Sequence, residues 1–192
     1  MTNTNIVVIG VSTGGPITLK KLFTDLPPLN AAVIIVLHIT PGMDYRIAKG
    51  LDEVSAMPVT LAEDGEYLRK GHVYMAPGGF HLKVEGNQRM VLYEGERVNF
   101  VQPCADVAML SLQRSLHGKI IGVVLTGMGK DGAEGLRHIK QIGGITLAQD
   151  QKSCSIYGMP KAAAQTGAVD FVYPPQKIGA KLVELLNLPG HH

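Results

Sequence analysis

The sequence predicts an α/β fold: a doubly wound, mostly parallel sheet with helices on both faces and an antiparallel hairpin insertion. Three observations carry that prediction. Short apolar runs alternate with stretches of helical periodicity, the signature of βαβ units. Two of the runs, "AAVIIVLH" and "KIIGVVLTG", are almost continuously apolar. Strands become so when helices cover both faces of a parallel sheet, which puts both runs near its centre. Between Gly71 and Glu94 the texture changes to "HVYMAPGGFHLKVEGNQRMVLYE", three short runs broken by "APGG" and "EGNQ". That turn chemistry reads as β-hairpins, an antiparallel insertion or a sheet edge.

In chain order, the apolar run "NIVVIG" forms the first strand and "PITLKKLFTDL" the first helix. Strand "AAVIIVLH", helix "MDYRIAKGLDEVS" and strand "PVTLAE" follow, then the hairpin region. The α/β rhythm resumes with helix "CADVAMLSLQRSLH", strand "KIIGVVLTG", helix "DGAEGLRHIKQI" and strand "GITLAQ". Helix "MPKAAAQTG", strand "AVDFVYP" and helix "QKIGAKLVELLN" complete it, with no internal repeat, low-complexity tract or linker.

A chain of 192 residues can bury one sizeable core and is short for two, so residues 1–192 are read as a single domain. Lys+Arg of 18 against Asp+Glu of 16 gives a net charge of +2, too little to recruit nucleic acid or an anionic membrane by a global field. Any partner must be recognised locally. Cys104 and Cys154 stand far apart without a C-x-x-C, which disfavours a zinc site and a disulfide framework and fits a reducing compartment. No apolar run approaches the length of a membrane span, and "MTNTN" lacks a basic n-region, so a soluble cytoplasmic protein is expected. His72, His81, His117 and His138 lack metal-ligand spacing, and no metal is expected. His191 and His192, in the terminal "GHH", are given no role.

Sites in open α/β sheets gather outside the carboxyl ends of strands, where loops and helix N-termini converge. Three polar residues follow the most apolar strands: Ser12, His38 and Asp131. Gly10-Val11-Ser12-Thr13-Gly14 satisfies G-x-S-x-G, whose small flanks let the chain turn sharply and hold a serine hydroxyl clear of the sheet. The plainer reading is a strand-to-helix turn with Ser12 or Thr13 as N-cap. A lone histidine on a strand is ordinarily structural, but the strand-end position of His38 suits a general base. "GMGKDG" (127–132) also satisfies the dinucleotide fingerprint G-x-G-x-x-G, with Asp150 ending the next strand. Against that reading, Asp131 would set a carboxylate where a pyrophosphate needs free N–H groups and the positive helix end, with only Lys130 to compensate. A P-loop fails outright, because Pro16-Ile17 stand where Lys and Ser/Thr are required. Three classes stay open on the residues alone: a serine hydrolase, a nucleotide-binding oxidoreductase and a catalytically silent interaction module.

From about Ile6 to Leu186 the chain resembles the catalytic domain of the chemotaxis protein-glutamate methylesterase (CheB) family. The resemblance rests on "VIGVSTGGP", "LHITPGM", "GHVYMAPGGFHL", "VVLTGMGKDGAEGL" and "LAQDQKSCSIYGMPKAAA", in that order. It implies a hydrolase of glutamate γ-methyl esters on chemoreceptors, also able to deamidate protein glutamine. It implies Ser12 as nucleophile, His38 as base and Asp131 as its orienting carboxylate. Thr13 and Met128 fall on site-lining positions and are the oxyanion-hole candidates. No cofactor is implied, and the implied partners are the cytoplasmic helices of methylated chemoreceptors, with no nucleic acid and no direct membrane insertion. Cys104-Ala105-Asp106 departs from the Ser-Val-Asp-like helix start of the family, and Asp106 is the rival for third member of the triad. Family members usually carry an N-terminal phospho-receiver domain, whereas four residues precede "NIVVIG" here. The expectation is activity without phosphorylation, with a separate receiver protein as a candidate regulator.

Overall fold

Along β1 (Ile6–Val11) and β2 (Ala32–Leu37) every residue is buried, and strand alternation sends neighbours to two different apolar layers. Val7, Ile9, Val33 and Ile35 join Leu19, Phe23, Leu51 and Leu182 of helices α1 (Gly15–Phe23), α2 (Asp44–Asp52) and α6 (Pro175–Leu186). Ile6, Val8, Ile34 and Val36 join Met109, Leu136 and Met159 of α3 (Ala105–Leu110), α4 (Ala133–Gln141) and α5 (Met159–Gln165). Each such fully buried aliphatic side chain contributes roughly 1.5–3 kcal/mol of apolar transfer. The continuous hydrophobicity of the two strands is therefore the sequence's record of two covered faces.

The computed structural model describes residues 4–187. His191 and His192, and the outermost residues of the 1–192 domain reading and of "MTNTN", lie outside the described residues. The remaining strands are β3 (Val59–Leu61), β4 (His72–Met75), β5 (His81–Glu85), β6 (Arg89–Tyr93), β7 (Ile120–Val124), β8 (Ile145–Gln149) and β9 (Phe171–Tyr173). Among the described residues, seven of the nine strands form a wholly parallel sheet in the order β3-β4-β2-β1-β7-β8-β9. The two apolar runs singled out in the sequence are β2 and β7, one on either side of β1. Among the described residues no helix is long and apolar enough to cross a membrane.

Two expectations need correction. The first of the three short runs after Gly71, "HVYM", is not part of a hairpin but the parallel strand β4, between β2 and β3. Only β5 and β6 pair antiparallel, as a separate two-stranded sheet. The Gly71 N–H donates to the Ala31 carbonyl, which delivers the chain into the parallel register Ala32↔His72. The helix expected over 104–117 ends at Leu110. The Ser111 hydroxyl donates back to the Ala108 carbonyl at 2.6 Å while accepting the Val84 N–H, and Gln113 pairs its backbone with the Asn87 side chain. Groups that would extend α3 are thus spent on fastening it to the β5–β6 hairpin.

Candidate active site

Beyond β1 the chain moves to β2 on one side, and after β4 it returns to β7 on the other. The crevice at such a reversal, outside the carboxyl ends of the strands, is where open α/β sheets place their sites. Register puts Val11 opposite Leu37 and Gly10 opposite Val124. Ser12 and His38 therefore leave neighbouring strands at the same level, about 4.8 Å apart in backbone spacing. The His38 N–H donates to the Val11 carbonyl at 3.1 Å, and the Ser12 N–H donates to the Thr126 carbonyl at 2.9 Å. Alternation continued from Ile6, Val8 and Ile34 aims both side chains toward the face covered by α3 and α4.

Local backbone frees the Ser12 hydroxyl. Gly14, at φ +80°, is the N-cap residue of α1 and makes no side-chain cap, while the Gly15 N–H donates to the Ser12 carbonyl at 2.7 Å. Neither Ser12 nor Thr13 spends its hydroxyl on capping the helix, which removes the plainer reading of the G-x-S-x-G turn. Gly10 serves closeness: a Cβ there would stand 2.8 Å from the Ala105 Cβ, so only glycine lets the start of α3 approach β1.

Asp131, 2 % exposed, receives the imidazole of His38 through Nε2 at 2.6 Å from its Oδ2. The same Oδ2 accepts the Ala105 N–H at 2.7 Å, and Oδ1 accepts the Asp106 N–H at 2.9 Å and the Cys104 thiol at 3.1 Å. Burial pushes this carboxyl up, but His38 and the Ala105, Asp106 and Cys104 donors outweigh it and hold Asp131 below the ordinary carboxylate range. Asp106 mirrors it. Its Oδ1 accepts the Gly132 and Gly135 N–H groups at 3.0 and 2.7 Å, at the start of α4, and its Oδ2 accepts the Asn99 amide at 2.8 Å. Each helix start is thus capped by a carboxylate from the neighbouring segment, a reciprocal clasp that satisfies otherwise orphaned N–H groups. Burial first, and then the charge of Asp131, raises Asp106.

Asp131, rather than its rival Asp106, touches the histidine. The clasp also removes the physical basis of the nucleotide reading, because the helix start that would face a pyrophosphate already holds the Asp106 carboxylate. Donor atoms of Cys104, Asp106 and Asp131 lie within 4.8 Å of one another, close enough for one metal ion. Their chemistry does not suit one. The carboxylate oxygens accept N–H groups, and burial followed by the Asp131 charge pushes the Cys104 thiol up to about 12, whereas a metal ligand must be thiolate.

Thr13 and Met128 are exposed, and neither backbone N–H donates to a protein acceptor among the described residues. No hydrogen bond joins the Ser12 hydroxyl to His38 among those residues, as is common before substrate draws a site together. A cleft of about 240 Å³ opens beside His38, walled by Thr40, Arg97, Phe100 and Gln102. Sequence reasoning missed Asn99, whose amide reaches both Asp106 and, at 3.4 Å, Asp131. It carries no motif, and only the fold brings it to the clasp. Cys104 was visible only as a departure from a pattern, though its thiol keeps a donor on Asp131.

Residues 7–182 match the family model described as CheB methylesterase. A protein of Pyrococcus horikoshii named protein-glutamate methylesterase/protein-glutamine glutaminase is 42% identical over 186 residues, 95% of this chain and 50% of that protein. A Clostridium acetobutylicum protein of the same name is 42% identical over 182 residues, 94% of this chain and 53% of its own length. The chain spans about half the length of these curated relatives. The crystal structure of the Thermotoga maritima CheB methylesterase catalytic domain superposes with a TM-score of 0.89 at 39% identity, covering 95% of this chain and 98% of that one.

Proposed function

The chain belongs to the CheB methylesterase family, and from that premise we propose that it acts as a single catalytic domain, a serine hydrolase that cleaves glutamate γ-methyl esters on chemoreceptor helices. The observation that carries this reading is the 2.6 Å bond between His38 Nε2 and buried Asp131, one strand over from the free Ser12 hydroxyl.

Asp131 accepts the Nε2 proton and so fixes the tautomer, leaving the Nδ1 lone pair as the base. Ser12 Oγ attacks the ester carbonyl as Nδ1 takes its proton. The bond from the acyl carbon to the methoxy oxygen breaks, the imidazolium returns the proton to that oxygen, and methanol leaves. Water then attacks the acyl-enzyme with His38 again as base, releasing glutamate and regenerating Ser12. Because Asp131 sits below the ordinary carboxylate range, it stays anionic and stabilises the transient imidazolium. The Thr13 and Met128 N–H groups are the oxyanion donors, and one such donor is worth about 2.7–4 kcal/mol in related chemistry. The same route deamidates a glutamine when the imidazolium protonates the poorer amine leaving group. The route uses side chains and backbone alone, without a cofactor. The partners in this reading are cytoplasmic helices of methylated receptors, reached from the cytoplasm.

Methanol release from a methylated receptor is the test. Wild type releases it, while Ser12→Ala stays folded, because it deletes one half-buried hydroxyl that makes no hydrogen bond among the described residues, and loses the activity. Release by that variant at near the wild-type rate rules out Ser12 as nucleophile.

A further inference from the structure

Between the β5–β6 hairpin and α3, Val98 and Val101 exchange both backbone hydrogen bonds, 3.1 and 3.0 Å, around a two-residue turn. Its two central residues, Asn99 and Phe100, have φ of +52° and +65°. Asparagine tolerates that region, whereas a bulky aromatic there is a genuine outlier. Strain of this kind persists only where the surroundings over-determine it. They do so here through Asn99, whose amide donates to Asp106 at 2.8 Å and reaches Asp131 at 3.4 Å. The turn is therefore fastened to Asp106, the partner in the clasp of the carboxylate that holds His38. Phe100 gains no burial in return: it is 92 % exposed, more than any other large apolar side chain described, and it forms a wall of the cleft beside His38.

We propose that Phe100 is a specificity-determining residue that packs against an apolar side chain of the substrate helix, one turn away from the esterified glutamate. Residues three and four apart share a helix face, so a helix presenting its ester to Ser12 and His38 places that neighbour over the adjoining cleft wall. The Asn99 anchor and the Val98–Val101 pair hold the backbone of Phe100 in place beside the cleft, so the turn meets its partner already formed. This inference rests on the hydrolase reading above and adds a contact that reading does not require.

Two reactions of the intact chain separate the roles. One is methanol release from the methylated receptor, with kcat and KM resolved; the other is phosphonylation of Ser12 by a small fluorophosphonate, which needs the triad and no helix. In the latter the Ser12 oxygen bonds to phosphorus, fluoride leaves, and His38 takes the proton. Phe100→Ala should lower kcat/KM for the receptor by about tenfold or more, chiefly through KM, and leave the phosphonylation rate within about twofold. Phe100→Leu should recover most of the loss. Phe100→Gly, which accepts the positive φ without strain, should match the alanine variant in kinetics without melting below wild type. Receptor kinetics within twofold of wild type in Phe100→Ala overturn the proposal. An equal loss in both reactions also overturns it, since Phe100 would then act on the triad. A wild-type chain that reacts with the fluorophosphonate no faster than Ser12→Ala overturns instead the hydrolase reading underneath.

Discussion

The two ends of the parallel sheet are built from similar polar residues put to different uses. At the amino end, Asn5 donates to the Asn30 carbonyl at 2.7 Å and accepts the Lys119 N–H at 2.8 Å, while the Asn187 side chain accepts the Asn30 N–H and donates to the Pro28 carbonyl. Those side chains bond to backbone and close loops. At the carboxyl end, Asp131 and Asp106 also cap backbone, but in addition they bond to other side chains, His38 and Asn99. Their ionisation is displaced in opposite directions, Asp131 down and Asp106 up. Polar residues that only satisfy main chain contribute stability. Those that are satisfied by main chain while holding a further side chain in place can contribute chemistry.

Substitutions at the carboxyl end should break activity first. Asp131→Asn preserves shape but admits the wrong histidine tautomer, and methanol release should fall by on the order of 10²-fold or more. Asp106→Asn, which leaves the His38 bond intact, should cost much less. If Asp106→Asn cost far more than Asp131→Asn in equally stable proteins, the assignment of the third triad member would be wrong.

Acid unfolding sharpens the same contrast. Asp131 has a folded pKa below its ordinary 3.8, so the unfolded chain binds more protons there, and the stability it contributes above that value is lost as pH falls through the folded pKa. Asp106 has the reverse sign: its folded pKa is raised above 3.8, and stability is lost as pH rises through it. Denaturant midpoints measured across the acid range should show Asp131→Asn flattening the acid loss and Asp106→Asn steepening the net rise with pH. Equal slopes in the two variants would contradict the opposed environments.

At the amino end the order of effects inverts. Asn5→Ala removes two hydrogen bonds and should cost about 1–2 kcal/mol in denaturant unfolding, yet leave kcat/KM within about twofold at temperatures where the chain stays folded. The smallest effect belongs to the thiols. Burial, followed by a nearby carboxylate charge, pushes Cys104 up to about 12 and Cys154 up to about 11, so iodoacetamide near neutral pH should leave methanol release unchanged.

The parallel sheet, its two covered faces and the strand-end positions of Ser12 and His38 were legible in the sequence because each follows from a local pattern: a continuous apolar run, and a polar residue just past it. Asp131 sits further on, in the turn between β7 and α4, and was legible from the apolar run that precedes that turn. "HVYM" misled because four residues between turn signals do not say whether they join the neighbouring hairpin or a distant parallel strand, and only the pairing with Ala32–Ile35 decides that. The early end of α3 was hidden for a similar reason, since its stop is supplied by Val84 and Asn87 of the hairpin rather than by a breaker in the helix. Asp106 was noticed without its role, because a carboxylate that caps another helix leaves no spacing signature. Asn99 left none at all.

The most direct test of the claim that the carboxyl end carries the chemistry is to map the residue modified by a fluorophosphonate in the intact chain. One adduct per chain, on the peptide containing Ser12, slowed strongly by Asp131→Asn and unaffected by Asn5→Ala, is the predicted result. An adduct on any other residue, or no adduct on a chain that is releasing methanol from receptor in the same buffer, would contradict it.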